Sequence, residues 1–517
     1  MKVKDLPFFI FISLTALAAI ILGCWKINQP GLYYDEMLFG NAAVGGKTND
    51  FINLRLLNVP ILLMDYIGAV KAWIYYPIFS IFPVNYLTVR LPAILLGVAG
   101  GLALVGALRK GFGRSAAMAG AVMILLDPTL ITHSRVDWGP NALMFFFRGV
   151  LVYSLVSWVR TRNLKWAWLA LAVGALGIFD KLNFIWIVFA FFGALVLVYS
   201  DKLREFRRTY PRQVLVMAGL GVAGLGFTIA RAVKLAEHTN IGWPERISAA
   251  FRLIRLTLAG GGALDFISGE GLRLEQWIWP GYLLAFVIGL LGIKFLFKNK
   301  TDKTLYQWTI VSVLLLAAAF IFTKTATGPH HSSVLSGPWQ FALAPLVGAF
   351  WDEAKLHPQR TRLFALWSAL ILIIAANVIS NIVCIRAFAS PTNPNWDTAN
   401  TSAASFANQH PDACFVSTDW GIGTQVIAIT KGHVCMTDAW PAFSKQEDAV
   451  HFINDLPKDK DIYIYTRLPE FENFKGHRAN LLYALEMDHR RYEVNKTYNN
   501  QQGKPMIEIL KLAQPVK

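Results

Sequence analysis

The sequence predicts an α-helical polytopic membrane protein with a small α/β domain at its C-terminal end. Three observations predict it. Hydrophobic residues make up 55% of the 517 and charged residues only 16%, whereas a soluble domain carries about 25% charged. Apolar stretches long enough to cross a bilayer, about 20 residues each, recur from Leu6 to Ile385. Beyond Arg386 the pattern changes to short runs of ordinary soluble character. The 17 Trp and 35 Phe are likewise too many for the cores of the three or so soluble domains that the length alone suggests, at roughly 150 residues each.

The first span runs from Leu6 to Trp25 behind Lys2 and Lys4. No small-x-small cleavage site follows it and many more spans do, which argues against a signal peptide. Ile21-Leu22-Gly23-Cys24 matches a lipoprotein box poorly, with Leu where a small residue belongs. Later apolar stretches cover about 89–108, 115–131, 141–159, 166–179, 182–200, 214–232, 277–297, 305–322, 338–351 and 363–385, giving eleven spans. With the N-terminus inside, the basic clusters Arg109/Lys110/Arg114, Arg160/Arg162/Lys165, Lys202 to Arg212, Lys294 to Lys303 and Lys355/Arg360/Arg362 all fall on one side. That is the positive-inside rule. The excess of 49 basic over 33 acidic residues, +16, is therefore topology and not a nucleic-acid partner. The expected location is the cell (inner) membrane, with the C-terminal domain periplasmic or extracellular.

Three outside segments exceed what connection requires: residues 26–88, 234–276 and 324–337. Within the first, Asn58–Phe82 is apolar and aromatic but interrupted by Asp65, Lys71 and Pro77, and reads as one or two amphipathic helices on the outer face. The chain divides into a membrane domain, 1–388, and an outside α/β domain, 389–517, reached through a Pro/Asn/Thr linker at 390–400. Strand-like runs at Cys414–Ser417, Val434–Thr437 and Asp461–Thr466 alternate with helical patterns near 401–408, 424–430, 446–456 and 474–487. This domain reads as an appendage. Cys414 and Cys435 share it, where oxidation is permitted, and are either paired or free.

Ionisable residues gather where spans leave the outer face. Tyr34-Asp35-Glu36 follows the first span, flanked by aromatics. A carboxylate pressed against aromatic rings is partly desolvated, which raises its pKa and suits it to accept a proton; the plain alternative is a solvated loop pair. His133, Arg135 and Asp137 lie in the short connection after the third span, either as a functional cluster or as an Arg–Asp pair pinning a loop. Asp180-Lys181 interrupts an apolar run, and Lys181 either neutralises phosphate or pairs with its neighbour. His330-His331 in the last outside loop suggests phosphate contact or hydrogen bonding more than metal ligation, since adjacent residues rarely share one ion. Phosphate-loop, His-Glu-x-x-His and Cys-x-x-Cys motifs and a voltage-sensor arginine run are missing from the sequence. Asp412, Asp419 and Asp438 near turns of the outer domain either contact the acceptor or close over the cavity, or, as the plainer reading, are solvated turn acids.

These residues resemble the GT-C class of polytopic glycosyltransferases, and within it glycosyltransferase family 39: protein O-mannosyltransferases and the lipid A aminoarabinose transferase. Tyr34-Asp35-Glu36 through Phe39-Gly40 resembles the family's first-loop acidic motif, Arg90-Leu91-Pro92 its Arg-Leu-Pro, and Arg135-Val136-Asp137 its Arg-x-Asp. Phe179-Asp180-Lys181 stands where relatives carry Thr-Lys-Gly, and His330-His331 replaces an Arg-Tyr pattern. The resemblance implies transfer of a sugar from a polyprenyl-phosphate donor to a hydroxyl of a protein, lipid or glycan acceptor on the outer face, with inversion. It implies Asp35 as general base, Glu36 and Asp137 orienting hydroxyls, and Arg135, Lys181 and His330 holding phosphate. Tyr34, His133 and His331 are further candidates for substrate contact. No cofactor is required, and a divalent metal is left open but not indicated. The competing readings are a transporter or flippase, whose site would lie at the midplane on broken helices, and a polysaccharide polymerase or ligase.

Overall fold

The computed structural model describes residues 5–44, 52–236, 242–269, 299–321, 328–356, 360–457 and 459–513, with isolated positions between 271 and 297. The expected spans within them are largely helical, although the one at 115–131 is broken at Leu126-Asp127 into two helices bent by 47°. The membrane part runs α1 (Leu6–Cys24), α2 (Tyr34–Val44), a three-stranded antiparallel sheet β1 (Leu54–Leu56), β2 (Val59–Met64) and β3 (Ile67–Gly68), then α3 (Val70–Ile81) and α4 (Tyr86–Phe112). It continues through α5 (Arg114–Gly120, prolonged by a π-turn to Leu125), α6 (Pro128–Arg135), α7 (Asn141–Thr161), α8 (Leu164–Asp180), α9 (Ile185–Val198), α10 (Ser200–Thr209), α11 (Pro211–Ala236), α12 (Trp243–Ala259) and α13 (Gly262–Ser268). The last are α14 (Lys300–Ile321), α15 (Pro338–Leu356) and α16 (Arg360–Ala387). The span expected at 277–297 lies outside the described residues. Among the described residues, five helices are long and apolar enough to cross a membrane, or up to eight if each of three bent pairs is one span.

Helices α4 and α7 form the tightest seam of the bundle. A Cβ on Gly149 would stand 2.1 Å from the Gly100 carbonyl oxygen, and one on Gly100 would stand 2.3 Å from the Phe145 oxygen. Small residues are what allow backbones inside a membrane to approach so closely. At one end of the bundle Arg109 and Arg114 meet Asp5, Arg160 bonds Asp302 at 2.5 Å and Ser115 bonds Asp352 at 2.5 Å. The loops expected on the inside thus converge.

Two expectations about the other end are corrected. Residues 59–68 are strands, and helix begins only at Val70; Leu57 and Asn58 adopt the left-handed conformation of a tight hairpin turn. The 126–140 connection is also no simple loop. Asp127 accepts a hydrogen bond from the Thr129 amide and Pro128 occupies the first helical position, so a short helix starts there and carries His133 and Arg135 back into the protein.

The outer domain adds α17 (Thr398–Ser405), β4 (Cys414–Ser417), α18 (Ile422–Ile429), β5 (Cys435–Asp438), α19 (Gln446–Asn454), β6 (Ile462–Arg467), α20 (His477–Met487), β7 (Tyr492–Asn499) and β8 (Pro505–Leu512). The strand order is β5-β4-β6-β8-β7, parallel across the first three and antiparallel thereafter. The expected strands and helices are all present, and the β7–β8 hairpin is added. Cys414 and Cys435 face each other on neighbouring parallel strands and form a disulfide.

The domain is not an appendage. The Gly31 amide donates to the Trp396 carbonyl at 2.6 Å, the Leu32 amide to Thr401 Oγ1 at 3.3 Å, and Gln425 Nε2 to the Leu32 carbonyl at 2.9 Å. Tyr33 stacks on Trp396 and Tyr34 packs on Trp420, with ring centroids 4.1 and 4.3 Å apart. Membrane part and outer domain meet on the residues that precede Asp35, on α2 itself, which packs against Ala428, and at Trp138, which packs on Trp396.

Candidate active site

Asp35 and Glu36 occupy the first turn of α2, where the helix macrodipole favours negative charge. Neighbours on a helix point about 100° apart, and their surroundings differ accordingly. Glu36 is buried; Arg90 donates Nε to Oε1 and Nη2 to Oε2, each at 2.9 Å, and the Tyr33 amide donates to Oε2 at 3.0 Å. Arg90 also donates to the carbonyls of Ile27, Pro30 and Gly31. Glu36 is thus tied into a structural clasp with Arg90 and the Tyr33 amide. Asp35 is partly exposed and, among the described residues, accepts no hydrogen bond. Burial pushes its carboxyl up to about 6, against the pull of Lys181 and Lys71 and with the repulsion of Glu36 added.

Lys71 was invisible as a site residue in the sequence, a lone cation in an apolar aromatic segment. It is 2% exposed, its ammonium lies 2.8 Å from Asp137 Oδ2, and it sits over the rings of Phe39 and Tyr75 at 4.6 and 5.4 Å. Asp137 Oδ1 accepts the Ala142 amide at 2.8 Å. Asp137 therefore holds Lys71 and starts α7. Lys181 Nζ donates to Asn141 Oδ1 at 2.9 Å. Gly139, at φ +67°, leaves room for it: a Cβ there would stand 3.1 Å from Nζ. Burial draws Lys181 down to about 8, opposed by Asp137, Asp35 and Asp180.

Arg135 does not join this cluster. Its guanidinium donates to the carbonyls of Trp25, Lys26 and Gln29, closing off the end of α1, so phosphate is not its partner. The aromatic wall behind the site includes His133 and His330, each packed against Trp138 with ring centroids 5.1 and 5.5 Å apart, and His331 at 4.0 Å from His330. Burial pulls both loop histidines below their ordinary range, so His330 and His331 are neutral and offer hydrogen bonds, not charge. Tyr34 is buried under Trp420. Among the outer-domain acids, Asp419 accepts the Trp420 and Asn473 amides at 2.8 and 2.9 Å, and Asp438 rests on Gly423 at the start of α18.

A cavity of about 1110 Å³ opens between α8, α9 and α11. Its walls are apolar, with Leu171, Ile178, Trp186 and Phe189 among them, and Lys181, His331 and Tyr66 also line it. Among the described residues, no group of three His, Cys, Asp or Glu side chains is placed to hold a metal ion.

The whole chain is similar in fold to the crystal structure of ArnT from Cupriavidus metallidurans in the apo state, with a TM-score of 0.56 and 13% identity over 98% of each chain. It is also similar to the Archaeoglobus fulgidus oligosaccharyltransferase tethered to an acceptor peptide containing the NVT sequon, with a TM-score of 0.52 and 14% identity over 99% of this chain and 74% of that one. No curated protein sequence matches the chain significantly. The chain shares the fold of these two structures, and several of its helices are long and apolar enough to cross a membrane. Residues 68–224 match the family model for dolichyl-phosphate-mannose-protein mannosyltransferases.

Proposed function

We propose that the protein transfers a sugar from a polyprenyl-phosphate donor to an acceptor hydroxyl at the outer face of the cell membrane, with Asp35 as general base. The observation that carries this reading is the pairing of an apolar cavity reaching a buried lysine with a carboxylate, beside that lysine, that accepts no hydrogen bond. A polyprenyl chain suits the cavity walls, and its phosphate suits Lys181, with Lys71 nearby. The acceptor O–H attacks the anomeric carbon from the side opposite the phosphate. Its proton passes to Asp35, the C–O bond to phosphate breaks, and the electron pair leaves with the polyprenyl phosphate. Configuration at the carbon is inverted. Lys71 and Lys181 stabilise the growing phosphate charge in a water-poor setting, where fixed charges are most effective. His330 and His331 add neutral hydrogen bonds, and Asp137 positions Lys71.

Asp35→Asn tests the base. Purified protein in proteoliposomes, supplied with polyprenyl-phosphate sugar and an envelope extract as acceptor, should lose about 10²- to 10⁴-fold in transfer rate, the usual contribution of a positioned general base. Wild-type transfer by Asp35→Asn removes the assignment. Uptake of sugar without transfer by the unaltered protein removes the enzyme reading of the site in favour of transport.

A further inference from the structure

Beside Lys181, two side chains have no role in the proposed transfer and no hydrogen-bond partner among the described residues. Asp180, the last residue of α8, is 1% exposed, yet neither carboxylate oxygen accepts a hydrogen bond and it forms no ion pair among the described residues. Asn183, on the 3-10 turn Leu182–Phe184, lines the cavity, and both its amide nitrogen and its carbonyl oxygen are buried without partners. Buried polar side-chain atoms are nearly always satisfied, so four unsatisfied ones within four residues need an explanation.

Looseness of the turn is not that explanation. The Leu182 amide donates to the Tyr66 carbonyl at 3.0 Å, the Phe184 amide to Lys181 at 2.9 Å, and Ile67 bridges to Lys181. The Phe184 ring fills the place of a side chain at Gly177, where a Cβ would meet it at 2.4 Å. The segment is fixed from both sides, and its polar atoms are held ready.

Their chemistry selects the ligand. A carboxylate only accepts hydrogen bonds, while an amide both donates and accepts. A prenyl chain satisfies neither. A phosphate would satisfy the Asn183 N–H but would leave the Asn183 carbonyl oxygen without a donor. A ring bearing several O–H or N–H groups satisfies both. We infer that Asp180 and Asn183 read the sugar of the donor and set which sugar is transferred, while Lys181 holds the phosphate. This rests on the reading of the cavity as a lipid-linked donor site.

The test uses the full-length protein in detergent and measures the Kd of two ligands. One is bare polyprenyl phosphate. The other is the form the wild type binds best among hexosyl, pentosyl and aminopentosyl polyprenyl phosphates. Asp180→Asn and Asn183→Ala should leave the bare lipid within twofold and weaken the sugar-bearing one roughly tenfold or more, the effect of losing a buried hydrogen bond. Equal weakening of both ligands, or no weakening of either, overturns the inference, as does a wild type to whose affinity the sugar adds nothing. The bare lipid is also the folding control for each variant. A wild type that binds neither ligand overturns the donor-site reading itself.

Discussion

At the residue scale, two adjacent acids have opposite fates, and both are measurable. Asp35 titrates near 6 in the folded protein, above its ordinary 3.8. A base works only when ionised, so kcat/KM should fall as pH drops below about 6. Lys181, drawn down to about 8, works only when charged, so the rate should fall again above that pH. A bell-shaped profile results, and Lys181→Arg should move its alkaline limb out of range because a guanidinium stays charged. An unmoved limb assigns that pKa to another group. Stability separates the same pair. Because the folded pKa of Asp35 is raised, its ionised form disfavours the fold, and stability falls as pH rises from about 3.8 to 6. Asp35→Asn should therefore melt at or above the wild-type temperature at pH 7.5. Glu36→Gln, by contrast, leaves buried Arg90 without its countercharge and should lose on the order of 3–5 kcal/mol, read as a clear drop in Tm in detergent. The sequence could not tell these neighbours apart, because which face of α2 is buried depends on an arginine 54 positions later. Arg135 misled for the same reason: its partners are main-chain carbonyls 106 to 110 residues away, which leave no trace in local pattern.

At the element scale, legibility followed hydropathy. Spans of uniformly apolar residues were readable because a bilayer demands them. The 59–68 hairpin was not, since its short apolar strands mimic an interfacial helix in composition. Lys71 was overlooked with it. Helix packing gives a prediction of its own. At Gly149 a Cβ would collide with the Gly100 carbonyl, a backbone atom that cannot swing aside. Gly149→Val must part α4 from α7, and those helices carry Arg90 and Asn141, two anchors of the site. Little monodisperse protein and no transfer are expected. Gly219→Ala on α11, with nothing within 4 Å of the new Cβ, should retain wild-type yield and a Tm equal or slightly higher, alanine being about 1 kcal/mol the better helix former. Size-exclusion chromatography of the two variants side by side distinguishes a packing requirement from a general intolerance of glycine replacement.

At the scale of the whole molecule, the outer domain's sheet was largely readable but its purpose was not, because domain contacts are made by single side chains scattered along the sequence. Asp35 follows four residues whose main chain and rings are gripped from outside the membrane part. Thr401 and Gln425 hold Leu32 through one connected set of bonds, Thr401 Oγ1 donating to Gln425 Oε1 at 2.9 Å. Trp396 and Trp420 cover Tyr33 and Tyr34. None of these residues lines the cavity or touches Lys181. Loss of the grip should therefore change where Asp35 stands without changing how the lipid binds. Misplacing a catalytic group by about 1 Å can cost on the order of 10²-fold in rate. The double variant Trp420→Ala, Gln425→Ala is expected to lower the single-turnover transfer rate ten- to a hundred-fold and to leave the Kd for polyprenyl phosphate within twofold of wild type. A Kd that shifts as much as the rate would mean that the domain supports the donor cavity as well. An unchanged rate would mean that α2 holds Asp35 by itself, through Glu36 and Arg90.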